Sequence, residues 1–384
     1  MPNGQEVRLL CALLAEPPNE SLVKSLLGSD LDWHLFEEHA EFHRILPALQ
    51  RSIQSLSAAL LPESVQLWLT SRCNDLAKQN ILLTAELLSL QKELEAQRIR
   101  FAAFKGPVLA VAGYQDLFAR QFADLDLLVD EANATNIALL LSKRGYKPVP
   151  DSFDDTEAFI TSKLFKQLSV HEFTFRHRQW SAEIDVHWFL YRKHELAIST
   201  AALLENTKPV SIQGRLVPSL APPYQIISVA WNATAAVYGM LNSLMDFVHL
   251  RKSFHKSDWD EAFAIADELD CRRALTVPMA MTSYLFGVRW DYAIDEKSER
   301  MARECCERLF LCKQPQTLRR LIFRMKLRET LSGRLRYALG DLLTPTATEW
   351  GRLQLPLPLF FLYRALRPWW LATDFCARSI RKLT

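Results

Sequence analysis

The side-chain period of this chain changes twice, and that constrains the fold more than any other feature. Apolar residues recur at helical spacing near the N-terminus (Leu9, Leu10, Leu13, Leu14) and again at Leu82, Leu83, Leu87, Leu88, Leu90 and Leu94. From about Ile99 the apolar positions begin to alternate, as they do on a half-buried strand. From about residue 223 the helical period returns. Glycine is scarce, 11 in 384 residues, against an ordinary share of ~7%. Few glycines mean few tight turns and long helices, so an all-β architecture is not expected. With 49% apolar and 23% charged residues, the chain is neither disordered nor collagen-like. At ~150 residues per domain, its length fits two or three domains. The expected fold class is α+β: a small mixed sheet over residues 99–218, flanked by helical regions at 1–98 and 219–384.

Within the middle segment the expected order is β, α, β, α, β, β. Ile99–Phe104 reads as a strand, and Lys105-Gly106-Pro107 opens a helix to about Ala112, with Pro107 suited to its first turn. Leu125–Val129 is the second strand, and Ala132–Lys143 a helix that stops at Gly145. Leu168–Arg176 and Ala182–Phe189 are two more strands, and Val210–Val217 suggests a hairpin around Gly214. On the flanks, Asn74–Arg100, Tyr224–Asn242, Leu244–Lys252, Trp259–Leu269 and Arg300–Cys312 are expected to be helices.

Two of these strands carry acids in the same layout. In Asp124-Leu125-Asp126-Leu127-Leu128-Val129, alternation sends Leu125, Leu127 and Val129 to one face and Asp124 and Asp126 to the other. The two carboxylates then lie roughly 6–7 Å apart along the strand. In Glu183-Ile184-Asp185-Val186-His187-Trp188, the face opposite Ile184, Val186 and Trp188 carries Glu183, Asp185 and His187. Carboxylates on neighbouring strands repel, and a hard divalent cation offsets that repulsion. Three of them have room for two Mg²⁺ ions, with Mn²⁺ as an alternative, the arrangement that serves phosphoryl transfer. Taken singly, either strand is better explained as the polar face of a half-buried sheet. Gly106 allows close backbone approach, the following helix start offers free N–H groups to an anion, and Lys105 supplies a charge for a phosphate. His187 either serves the cleft or is a structural histidine beside it. Asp246 and His249, at i and i+3 on one helix, read as a buried polar pair.

Phe104-Lys105-Gly106-Pro107-Val108-Leu109, Tyr114-Gln115-Asp116, Arg120, Asp124-Leu125-Asp126-Leu127-Leu128-Val129 and the later Asp185-Val186-His187-Trp188 together resemble the bacterial uncharacterised nucleotidyltransferase family. That family belongs to the DNA-polymerase-β-like superfamily, and the resemblance extends over most of the chain. It implies that Asp124, Asp126 and Asp185 are the catalytic, metal-binding carboxylates, and that Lys105, Gly106 and Arg120 serve the nucleotide phosphates; His187, on the Asp185 side of its strand, is by alternation a further candidate for phosphate contact. The implied reaction transfers a nucleoside monophosphate from an NTP to an acceptor hydroxyl or phosphate and releases pyrophosphate. The acceptor is a small molecule, a saccharide or a protein. Two departures stand out: Pro107 follows Gly106 where relatives have a small hydroxyl residue, and Ala230-Trp231-Asn232-Ala233-Thr234 lacks the histidines relatives carry there. Two other functions fit the same residues. One is a non-catalytic binding or accessory protein in envelope polysaccharide assembly; the other is a transferase of the γ-phosphate.

Charge is unevenly placed. Residues 313–384 hold 14 basic and 4 acidic residues, while the first 312 hold 32 and 40. A basic tail on an acidic body fits a contact with an anionic membrane through 313–384, or a set of helix faces docked on the body. The arginines of 319–336 lie among Leu, Ile, Phe and Met, and Phe360-Phe361-Leu362-Tyr363 and Trp369-Trp370 follow. No recognisable nucleic-acid motif accompanies them, so no specific nucleic acid is expected. Seven cysteines without CxxC spacing fit a reducing compartment. With no secretory signal and no long apolar run, the expected location is cytoplasmic, including the inner face of the membrane.

Overall fold

A computed structural model describes residues 4–56, 61–149, 156–162, 171–180, 182–309, 317–345 and 347–380. Seven strands form one mixed sheet: β1 (Phe101–Phe104), β2 (Asp124–Val129), β3 (Tyr146–Pro148), β4 (Glu172–His177), β5 (Glu183–His187), β6 (Lys208–Ile212) and β7 (Arg215–Ser219), in the order β3-β4-β5-β2-β1-β7-β6. β2 runs parallel to β5 and antiparallel to β1, and β4 runs antiparallel to β5. The α+β class expected from the period changes is the one observed.

Helices cover both faces of this sheet. On one face, Leu125, Leu127 and Val129 of β2 and Ile184 and Val186 of β5 meet Ile137, Ala138 and Leu141 of the helix Ala134–Lys143. They also meet Leu83, Leu87, Leu90 and Leu94 of the helix Glu63–Ala96. That helix has 34 residues, roughly 50 Å at 1.5 Å per residue. Its earlier half, through Val65, Leu69 and Cys73, belongs to a second core that covers the other face. The second core joins Ala102, Phe104 and Leu128 of the sheet to Leu9 and Leu10 near the N-terminus, Trp231 and Phe247 further along, and Tyr337 near the C-terminus. Sequence-distant helices therefore share one apolar interior.

The expected hairpin is β6–β7, turning at Gln213 and Gly214, and Pro107 does lie in the first turn of the helix Gly106–Tyr114. The expected strand start at 168–170 lies outside the described residues. The sequence signals did not include β3. The expected continuous helix Tyr224–Asn242 is instead Pro222–Ala233, a 3₁₀ turn at Thr234–Ala236, and a new helix from Leu241 to Ser253. Val237 and Tyr238 take positive φ there. The turn lets Tyr238 bury completely and donate from its hydroxyl to the carbonyl of Ala274 at 2.8 Å.

The basic C-terminal segment is partly structural. Arg324 is buried, donating to Glu195 Oε1 at 2.6 Å and Thr234 Oγ1 at 2.8 Å. Arg328 is also buried, over the Trp231 ring, and donates to the carbonyls of Leu269 and Glu195. Among the described residues, no helix is long and apolar enough to cross a membrane.

Candidate active site

Strand register builds the site. The parallel pairing of β2 and β5 sets Asp126 beside Asp185, and Asp124 beside Glu183. Across β5, the antiparallel partner β4 sets Thr174 beside Asp185 and Glu172 beside His187. On the other side of β2, Phe104 pairs with Asp126. Side chains of paired residues point to the same face, so one row reads Thr174, Asp185, Asp126, Phe104. The chain reverses direction into the helix Gly106–Tyr114 immediately after Phe104, which brings Lys105 back over that row.

Asp126 is the buried centre, 3% exposed. Its Oδ1 accepts from Lys105 Nζ at 2.7 Å and lies 3.2 Å from His187 Nε2. His187 is equally buried, and its Nδ1 lies 3.0 Å from Glu172 Oε2. His171 Nε2 stands 3.4 Å from the same carboxylate oxygen. Lys105, Asp126, His187 and Glu172 thus form an alternating chain of charge.

The electrostatics follow from that chain. Burial favours neutral Asp126, but Lys105 and His187 outweigh it and hold the carboxyl below its usual range. Burial favours neutral His187 as well, yet Glu172 and Asp126 raise it to about 9. Asp185 is held less firmly: burial, then the charge of Asp126, push it up to about 6, and the opposing pulls of the Thr174 hydroxyl and of His187 do not offset them. Asp124 is raised too, by burial first and Asp126 second.

A cavity of about 250 Å³ opens over this row. Lys105, Asp124, Asp126, Asp185, Glu172 and Arg120 line it, with Arg44, Asn232 and Asp246 among the remaining walls. Of the residues singled out in the sequence, Asp126, Asp185 and His187 come closest, each offering a donor atom within 4.8 Å of the others. Asp124 sits on the cavity wall outside that group. Glu183 turns away to Arg176, whose Nε donates to it at 2.7 Å. Gly106 has φ 41°, and a Cβ there would stand 3.1 Å from the carbonyl oxygen of Asp124, so the bare backbone is what lets the helix start close on β2.

Arg120 is held rather than free. Asp246 takes it bidentately, at 2.7 and 3.0 Å, and also accepts from the Tyr114 hydroxyl at 2.6 Å. Asn80 of the long helix fixes the same loop by donating to the carbonyls of Leu117 and Arg120. Asp246 and His249 separate: Asp246 faces the cavity, while the His249 ring stacks on Tyr114 with centroids 3.9 Å apart.

The residues fit a divalent cation. Asp126 Oδ2 and Asp185 Oδ1 are buried carboxylate oxygens with no hydrogen-bond partner. A buried orphan of that kind is costly, and two on paired positions of adjacent strands, in residues that line one cavity, are what a hard cation satisfies. Sequence reading passed over Glu172 and the helix-borne Asn232. The alternation of Glu172, Thr174 and Arg176 against Phe173 and Phe175 was the available signal for Glu172.

A DxD strand beside a third acid-bearing strand, with a Lys-Gly turn leading into a helix, defines a nucleotidyltransferase-type core. Residues 29–287 match the family described as uncharacterised nucleotidyltransferase, and this chain belongs to that family. No curated protein matches it significantly.

Proposed function

We propose that this protein transfers a nucleoside monophosphate from an NTP to an acceptor hydroxyl or phosphate, with Mg²⁺ as the ion and pyrophosphate as the leaving group. The acceptor oxygen forms a bond to Pα as the bond from Pα to the pyrophosphate oxygen breaks. An acceptor hydroxyl gives up its proton in the same reaction. The observation that carries this reading is the pair of unpartnered, buried oxygens on Asp126 and Asp185, in register on parallel strands.

Asp126 and Asp185 are the proposed ligands, with Asp124 completing the set from the cavity wall. A cation bound there neutralises charge on the transferring phosphoryl group and on the attacking oxygen. Asp185, whose carboxyl burial and Asp126 raise to about 6, is the group suited to accept the acceptor's proton. Lys105, which lines the cavity immediately before the helix Gly106–Tyr114, is the proposed phosphate contact. Pro107 contributes no N–H, so Gly106 and Val108 are the donors in that first turn. Arg120, fixed by Asp246, adds a positive charge in a set position. Most of the rate enhancement then comes from positioning and from preorganised charge.

One observation favours the non-catalytic alternative: Lys105 and His187 already neutralise Asp126. A single experiment separates the readings. Incubation with Mg²⁺ and NTPs labelled at the α or the γ position should transfer the α label only, and Asp126→Asn should lose transfer by at least about 10³-fold. Transfer of the γ label would make the protein a phosphotransferase. Nucleotide binding without any transfer would make it a binding protein.

A further inference from the structure

The helix Leu331–Leu343 carries a stripe that its own fold leaves uncovered. Leu331, Leu335, Leu339 and Leu343 follow at i, i+4, i+8 and i+12, on one side of the helix, and are 69%, 54%, 55% and 42% exposed. The opposite side is anchored: Tyr337 is 2% exposed and meets Trp231 edge-on. This helix is therefore firmly docked by one face and presents leucines on the other. The helix Thr317–Lys326 packs beside it and exposes Leu318 and Ile322, again at i and i+4. Leu353, Phe361 and Trp369 are exposed further along the same segment.

The charges here have sorted themselves. The acids of the segment whose side chains are described are all engaged with arginines: Glu329 with Arg273, Asp341 with Arg192, and Glu349 with Arg367. The exposed positions include Lys326, Arg336 and Arg364. Exposed leucines with exposed Arg336 on the same helix and exposed Lys326 and Arg364 on the helices that contact it, in a segment whose described acids are paired internally, match a bilayer interface with anionic headgroups. A dimer interface formed by the same patch would set these basic residues against their own copies.

From this we infer that the described residues of 317–345 and 347–373 form a peripheral docking surface for an anionic lipid bilayer, with the leucine stripe entering the headgroup–acyl boundary and Lys326, Arg336 and Arg364 contacting lipid phosphates. The stripe lies on a helix that packs on Trp231, next to the cavity-lining Asn232. Docking would thus hold the whole protein at the membrane. The inference is independent of the catalytic reading, because its readout is partitioning.

The test is co-sedimentation of the full chain with vesicles of phosphatidylcholine alone or mixed with phosphatidylglycerol. Wild type should partition at least about tenfold better onto the anionic vesicles, and added salt should weaken the binding. The double substitution Leu335→Asp and Leu339→Asp should abolish partitioning while leaving the thermal melt unchanged, since both positions are exposed. Arg336→Glu should weaken binding to anionic vesicles alone. Equal binding by wild type and the double variant would overturn the inference. So would a wild-type dimer that the double variant converts to monomer without any vesicle binding, because the stripe would then be an interface between copies.

Discussion

Glu172 shows how a site residue can be set by its neighbours rather than by its own motif. Its carboxylate stands 3.0 Å from His187 Nδ1, and His187 Nε2 in turn reaches Asp126. His187, ahead of His171 and Lys105, holds Glu172 well below the usual carboxylate range against the pull of burial. Glu172 is therefore placed to act through the charge of His187 on the position of Asp126. Glu172→Gln keeps the shape but removes the charge. The expected outcome is a folded protein whose Mg²⁺ requirement or transfer rate is worse by about 10–100-fold, as for other residues that orient metal ligands. Titrating Mg²⁺ against transfer rate, and against binding of a fluorescent NTP analogue, checks it; an unchanged Mg²⁺ dependence would leave Glu172 a merely structural partner. Lys105 is the other unusual residue, at φ 59° and ψ −150°, a conformation that costs a non-glycine residue about 1–3 kcal/mol. Its bond to Asp126 helps hold it there.

At the scale of elements, alternation made β2 and β5 legible, because a two-residue period is written into each strand by itself. Their adjacency is expected from the matching acid layout and is observed, but their register is not legible. Asp126 beside Asp185, and Glu172 beside His187, follow from register between strands far apart in sequence, which no local pattern encodes. The break after Ala233 has one local sign, Gly239; Ala235, Ala236 and Val237 give none, and the burial of Tyr238 against Ala274 settles it through tertiary contact. The basic segment leaves its two readings, membrane contact and docking on the body, open for the same reason: periodicity cannot tell an arginine facing solvent from one facing Glu195. That buried pair supports a prediction. Arg324 holds Glu195 below its usual range despite burial, so the pair's contribution is complete above the unfolded glutamate pKa of ~4.3 and fades as pH falls through the lower folded value. Arg324→Met strands the carboxylate and should cost about 3–5 kcal/mol at neutral pH. In the variant, burial raises Glu195 instead, so protonation relieves the penalty. Urea unfolding should show the gap between variant and wild type narrowing toward about pH 4. A gap that is constant with pH would mean that lost packing over Trp231, not charge, sets the cost.

At the scale of the molecule, the division at 99–218 follows chemistry, and the packing argues that folding does not respect it. Ala102, Phe104 and Leu128 of the sheet lie in the same core as Leu9, Phe247 and Tyr337. An excised 99–218 would expose that sheet face, together with the face that Leu83, Leu87, Leu90 and Leu94 of the long helix cover. Each fully buried large apolar side chain contributes roughly 1.5–3 kcal/mol, and folded domains hold a margin of only about 5–15 kcal/mol. Uncovering a handful of such residues is enough to exhaust it. The full chain should therefore unfold in one transition that is the same by circular dichroism and by tryptophan fluorescence, since Trp231 and Trp259 lie in the shared core. The excised segment should lack native near-ultraviolet dichroism and should bind a dye specific for exposed apolar surface. Two separated transitions in the full chain, or a natively folded excised sheet, would show that the catalytic core carries its own stability and that the helices at either end are additions to it.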